Sequence, residues 1–433
     1  MNEWKEAPLG ELATHIKDGT HGTHARVESG VPFLSAKNVN NGRLVWNDND
    51  DQISYQEFLA ITSVFAPRCG DLLLTIVGTI GRSALFDGSE VAFQRSVAFV
   101  RFNDAVIPEY LFQVSCYTSF LRQLERRSNV TAQGGLYLGE LAKVKIRFPG
   151  KDQQRQIAKI LQVVDESIER TQALIEKHQQ IKAGLMHDLF TRGIGPDGKL
   201  RPPREQAPEL YQETPIGWIP KEWGYKALKE IFGSRNITNG PFGSDLLTSE
   251  LKKEGVPVLY CQDVKPGFFE RISSSNVTHQ KATQLSFCNV RKGDILLAKV
   301  GTPPCDSCVY PEGEPAVVTQ DVIRIRTAGQ SVSGFFSNWF NTGNGRKAIR
   351  KISIEGTRER VSLGEFKELC LPVPKFDEQY EIESRIQTLQ VFLANSYKDW
   401  HKLKKQKSGL MHDLLTGKVP VTVDADTPEL AHV

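Results

Sequence analysis

At 433 residues with 54 basic and 51 acidic side chains, the chain carries a formal charge of only +3, so no overall basic field announces a polyanionic partner. Hydrophobic residues make up 39% and charged residues 24%, as in an ordinary globular chain, and no run approaches the ~18 apolar residues of a membrane helix. The seven cysteines lack framework spacing and the start, Met1-Asn2-Glu3-Trp4, has no signal-peptide character, so the expectation is a cytoplasmic protein with reduced thiols and no membrane association.

In chain order, residues 1–150 read as a mixed α/β domain. Leu72–Val77 and Val97–Phe102 are apolar, β-branched strands, Pro108–Arg126 is helical, and Val144–Pro149 is a strand stopped by proline. Residues 151–192 form a long helix, and 193–219 a turn-rich linker holding Gly-Ile-Gly-Pro-Asp-Gly and several prolines. Residues 220–375 form a second α/β domain, with strands expected at Ile295–Val300, Val317–Ile325 and Leu369–Pro374 and a helix near Gly334–Arg350. A second long helix covers 376–416, and 417–433 is a tail. Charge is unevenly placed, with +5 on residues 196–375 against −1, +1 and −2 on 1–150, 151–195 and 376–433.

The chain is one module written twice. Gly-Leu-Met-His-Asp-Leu occurs at Gly184–Leu189 and again at Gly409–Leu414, 225 residues on. Gly30-Val31-Pro32 and Leu138-Gly139-Glu140 recur at the same offset, and Gly70–Thr79 matches Gly293–Thr302 at 223. This period far exceeds that of solenoid units. The helices align residue for residue, whereas Thr20–Ser29 does not resemble Pro241–Glu254, nor Ile80–Phe93 Pro303–Val318. Alike helices with unlike loops suggest one architecture presenting two recognition surfaces; drift in tolerant loops is the alternative.

Each helix carries a heptad seam. Ile157, Leu161, Val164, Ile168, Thr171, Ile175, His178, Lys182 and Leu185 step by alternating fours and threes. Ile382, Ile386, Leu389, Leu393, Ser396, Trp400, Leu403, Lys407 and Leu410 repeat them 225 residues on. The short linker favours an antiparallel pair. The expected fold is therefore α+β: two mixed α/β domains separated by a pair of long antiparallel coiled-coil helices, with a pseudo-twofold internal repeat. A helix of about 35 residues is ~52 Å long, which matches about fifteen base pairs of B-DNA.

Particular motifs carry a family resemblance. They are the helix openings Asp152–Ile157 (DQQRQI) and Asp377–Ile382 (DEQYEI), and the closings Lys182–Leu189 and Lys407–Val421. Two more are Gly217-Trp218-Ile219-Pro220 with Trp223, and the Gly-Asp-hydrophobic strand with Val-Gly-Thr. In this order and double occurrence the chain resembles a specificity subunit of type I restriction-modification systems. The resemblance implies two target-recognition domains, each reading half of a split site on double-stranded DNA, and helices that dock two methyltransferase subunits and set the spacing. It also implies a non-catalytic subunit that binds no cofactor itself. S-adenosylmethionine, ATP and Mg are then expected on partner subunits, which could include ATP-dependent restriction subunits. The competing reading is a coiled-coil scaffold spacing two protein-binding domains.

For DNA contact the chemistry asks for Arg, Lys, Gln and Asn near base edges and hydroxyls or amides at phosphates. The candidates are His21, His24, Lys37, Arg82, Gln94 and Arg95 in the first domain, and Asn239, Ser244, Lys299, Gln320, Arg358 and Arg360 in the second. The alternative for any one is a solvated surface residue, and Arg358-Glu359-Arg360 reads equally as an internal salt-bridge cluster. Gly193–Lys199 nearly spells a phosphate loop, but Leu200 stands where Ser or Thr should hold magnesium. Cys305 and Cys308 lack the second pair that structural zinc needs. His187 and His412 share a place near the helix ends, where a histidine suits the helix dipole. No catalytic or metal residue is expected.

Overall fold

The computed structural model describes residues 4–40, 42–128, 135–311, 313–327, 332–354, 356 and 358–422. They fall into two compact units, Met1–Ala173 with Tyr397–Val433, and Leu174–Ser396. The division lies inside the two long helices, Lys151–Thr191 and Phe376–Leu415. Each unit therefore holds one α/β domain, part of the helix that follows it, and part of the other helix.

In the first unit an antiparallel sheet has the order Ala13–Asp18, Val97–Phe102, Leu72–Thr75, Ser83–Leu85. Leu72–Thr75 is buried throughout because the sheet is covered on both faces, which is why its sequence is a continuous apolar run and not an alternating one. Side chains still alternate. Leu72, Leu74, Ala98 and Val100 join the core beneath the helices, whereas Leu73, Val97 and Phe99 join a second core with Leu34, Val39 and Phe93. A smaller sheet, Gln52–Ile53, Val31–Leu34, Ala92–Phe93, lies beyond that second core, its last two strands parallel.

The second unit repeats this plan by itself. Its main sheet runs Ile237–Asn239, Val322–Ile325, Ile295–Ala298, Ser307–Val309, and its smaller one Asn276–Val277, Val256–Leu259, Ala316–Val318, Asn289–Val290. Ile295, Leu297, Ile323 and Ile325 face one core, and Leu296, Ala298 and Val322 the other. Buried ion pairs sit at matching places: Arg101 bonds Asp71 at 2.8 Å, and Arg326 bonds Asp294 at 2.9 Å. In each domain the entering strand pairs antiparallel with the leaving one, Lys5–Pro8 with Lys145–Phe148 and Gly224–Ala227 with Cys370–Val373.

Some sequence expectations change in detail. Val317–Ile325 is two strands in two different sheets, broken where Val322 N donates to Thr319 O at 3.0 Å. The stretch Pro108–Arg126 is two helices, Pro108–Ser115 and Thr118–Arg127, and the one near Gly334–Arg350 is Ser333–Phe340 and Gly343–Arg350. Residues 193–220 contain a packed hairpin, Tyr211–Thr214 with Gly217–Pro220, and Ile194, Ala207, Tyr211 and Ile219 are buried. Arg201, buried in that segment, bonds both oxygens of Glu378.

Each long helix is locked to its domain by a buried glutamine from its opening motif. Gln154 accepts from Ile107 N at 2.9 Å and donates to Ala105 and Pro149 carbonyls. Gln379 accepts from Val332 N at 3.1 Å and donates to Pro374 O. Glycine ends both helices, with positive φ of 63° at Gly193 and 71° at Gly417. A Cβ there would meet the ring of Trp223 at 2.5 Å or of Trp4 at 2.6 Å, so the entry tryptophans pack against bare backbone.

Candidate nucleic-acid interface

Both domains expose a turn where the chain passes from the smaller sheet to the larger. In the first, Gln94-Arg95-Ser96 joins Ala92–Phe93 to Val97–Phe102. Gln94 N donates to Leu34 O at 2.8 Å, and Arg95 N to Thr20 O at 3.1 Å. In the second, Thr319-Gln320-Asp321 takes this place, and Thr319 N donates to Leu259 O at 3.0 Å. A glycine backs each turn. A Cβ on Gly19 would stand 2.2 Å from Phe93 O, and one on Gly240 2.0 Å from Val318 O, closer than any side chain allows.

Loops with unlike side chains follow these glycines. After Gly19 come Thr20, His21 and His24. The His21 ring bonds Asp18 at 2.7 Å, and His24 bonds the Thr20 hydroxyl at 2.8 Å and lies 3.4 Å from Glu57. Lys37 pairs with Asp50 at 2.8 Å, which raises the ammonium pKa and, with Asn47 and Asn38, holds the Asp50 carboxyl down at about 2. The histidines and lysine of this region are thus paired from within the domain. Arg82 and Arg95 are exposed and form no ion pair with any described residue.

The second domain differs in kind. Gly240 is followed by Phe242, 58% exposed, with the Lys299 ammonium 6.0 Å from its ring centre. Ser244 sits in the short turn Gly243–Asp245. Asn239 is buried behind the surface, and its amide donates to Gln320 O at 3.1 Å, bracing the turn from beneath. Lys299 N donates to Asp321 O, Gly301 N to Glu359 O, and Val361 N to Lys299 O, so the Lys299–Gly301 segment carries both the turn and the Arg358–Val361 segment. Arg358 and Arg360 are exposed, and no ion pair forms within Arg358-Glu359-Arg360 among the described residues.

Beside this turn lies an open cleft of about 620 Å³. It is lined by Tyr260–Gln262, Ile272–Ser275, Val300–Thr302, Thr319, Asp321 and Arg358. Asp263, fully buried, ties two of these segments together: its carboxylate accepts from Tyr260 N, Ile272 N, Ser273 N and the Ser273 hydroxyl. Elsewhere, Cys305 and Cys308 point into two different cores, their thiols pushed up to about 12 by burial. The described residues hold no cluster of three His, Cys, Asp or Glu able to grip a metal, and none of their helices is long and apolar enough to cross a membrane.

The seam residues are sorted by burial along the long helices. Ile157, Leu161, Ile175, Ile382, Ile386 and Leu393 are buried, and Val164, Ile168, Leu185, Leu389, Trp400, Leu403 and Leu410 are half-buried. Within the first unit Ile157 and Leu161 share a core with Met411, Leu414 and Leu415, and Lys407 pairs with Asp165 at 2.5 Å. Within the second, Leu189 and Phe190 share a core with Ile382 and Ile386, and the His178 ring lies tilted against Phe392, centroids 4.4 Å apart. Glu383 lies half-buried against Gly334 and accepts from Asn338 at 2.9 Å.

Residues 1–179 match the family model of the type I restriction modification DNA specificity domain. Two curated relatives from Methanocaldococcus jannaschii align over almost the whole chain. The type I restriction enzyme MjaVIII specificity subunit is 23% identical, covering 97% of this chain and 93% of that protein. The putative MjaX specificity subunit is 22% identical, covering 97% and 94%. Over nearly its whole length the chain is similar to type I specificity subunits, and its first 179 residues match their DNA specificity domain. A crystal structure of such a subunit from M. genitalium shares the fold, with a TM-score of 0.60 at 16% identity over 95% of this chain and 96% of that one.

Several residues of this surface carry little signal in the sequence. Gly19-Thr20-His21-Gly22 and Gly240-Pro241-Phe242-Gly243 share a Gly-x-x-Gly frame at an offset of 221, between the 219 and 225 offsets of the landmarks on either side. Phe242 and Asp321 were absent from a candidate set restricted to cations, amides and hydroxyls. The cleft-lining serines 273–275 carried no signal, because their position depends on the buried carboxylate of Asp263.

Proposed function

We propose that this chain is the DNA-reading, non-catalytic subunit of a type I restriction-modification complex, and that its two domains read unlike halves of a split, asymmetric site. The observation that carries this reading is the pairing of one repeated strand order with two chemically different surfaces around the sheet-switching turn. The first domain offers Arg82, Gln94 and Arg95 beside an internally paired loop; the second offers Phe242, Lys299, Gln320, Arg358 and Arg360. Arginine and lysine suit phosphates and guanine, and amides suit adenine. The heptad seams and the contacts of each helix opening with the other helix's closing, within each unit, support an antiparallel pairing of the two helices. The exposed faces of those helices then dock the methyltransferase subunits, which bring S-adenosylmethionine, while ATP and Mg belong to any restriction subunits.

Because the chain's net charge is only +3, partner subunits add to the phosphate attraction. Binding of the reconstituted complex to a duplex carrying its site should weaken steeply as salt rises. Salt-insensitive binding, or binding of a protein ligand in place of DNA, would favour the scaffold reading.

A further inference from the structure

The cleft of the second domain carries an acid and a base that do not neutralise each other. Asp321 and Arg358 both line it and both are exposed, yet neither side chain forms an ion pair or hydrogen bond with a described residue. Both stand next to hydrogen-bonded backbone. The Asp321 carbonyl accepts from Lys299 N at 2.8 Å and from the Cys261 thiol at 2.8 Å. Next to Arg358, the Glu359 carbonyl accepts from Gly301 N at 3.1 Å, and Arg360 bridges to Val300. Two anchored backbone segments thus hold a carboxylate and a guanidinium at one cleft, each with its hydrogen-bonding capacity unspent.

The chemistry of a base pair's major-groove edge discriminates here. Guanine presents two adjacent acceptors, N7 and O6, which suit the paired donors of a guanidinium; cytosine beside it presents the N4 amino donor, which suits a carboxylate. An A·T edge offers no such pair of adjacent acceptors for the guanidinium, and places adenine N7, itself an acceptor, next to the amino group the carboxylate would take. We infer that Asp321 and Arg358 together read one G·C pair in the half-site of the second domain, with cytosine facing Asp321 and guanine facing Arg358. This inference rests on the DNA-reading function proposed above. The first domain has no such arrangement at the matching turn, where Ser96 stands in the place of Asp321.

The test is selection from randomised duplexes by the complex of this chain with its modification subunits, comparing wild type with D321N and R358Q. Wild type should select a split site with one invariant G·C pair in one half. Each variant should relax preference at that same pair by about 5- to 150-fold, the range a good bidentate contact supplies. The other half-site should be selected as before, which also shows that the variant is folded. R358K, which keeps the charge but loses the planar pair of donors, should relax the pair as well. Relaxation at two different positions, no relaxation, or a half-site without an invariant G·C pair would overturn the inference while leaving the DNA-reading function standing. Failure of the wild-type complex to select any sequence would overturn both.

Discussion

Glu383 shows how a single side chain tunes the joint between helix and domain. Burial pushes its carboxyl above the ordinary range, and the amide of Asn338 only partly offsets this. A carboxyl whose folded pKa is raised contributes stability that is fully present below its unfolded value, about 4.3, and lost as pH rises through the folded one. At pH 7 the ionised group is therefore a burden. E383Q keeps an acceptor for Asn338 without the charge and should raise the thermal midpoint at pH 7, with the gain vanishing as pH falls below about 4. A midpoint lowered by E383Q at pH 7 would mean that the charged carboxylate is needed where it stands.

At the scale of elements, the glycines behind the switching turns are the sharpest points of control. G240A would drive a methyl group against the carbonyls of Val318 and Thr319, and relieving that contact must shift the turn that carries Gln320 and Asp321. The expected cost is about 1–3 kcal/mol in urea denaturation, typical of overpacking. Reading of the second half-site alone should degrade, and G19A should degrade the first; equal effects on both halves would contradict the assignment of one surface to each domain. The long helices were legible because their apolar residues recur at spacings of three and four, and no residue of that stripe is exposed. The apolar strands were legible for a similar reason. Val317–Ile325 was misjudged because one apolar run serves two sheets, and only the hydrogen bond closing Thr319–Val322 separates them. Asn239 looked like a base reader by its type, yet it is buried because its strand lies directly beneath the turn. Nothing in local sequence distinguishes a surface amide from one spent on a carbonyl 81 residues away.

For the whole molecule, the repeat makes two claims that stand or fall separately. One concerns spacing. If the long helices set the distance between half-sites, inserting seven residues in heptad register should lengthen the unread gap and leave both half-sites as they were; an unchanged gap would exclude a spacer role. The other claim is central: domains alike in strand order but unlike in the chemistry of their exposed turns read unlike sequences. Its most direct test is to map adenine methylation across the genome of a host expressing this chain with its modification subunits. The account predicts one bipartite motif whose two halves differ, separated by a gap of fixed length. A contiguous motif, or a palindrome with identical halves, would contradict it.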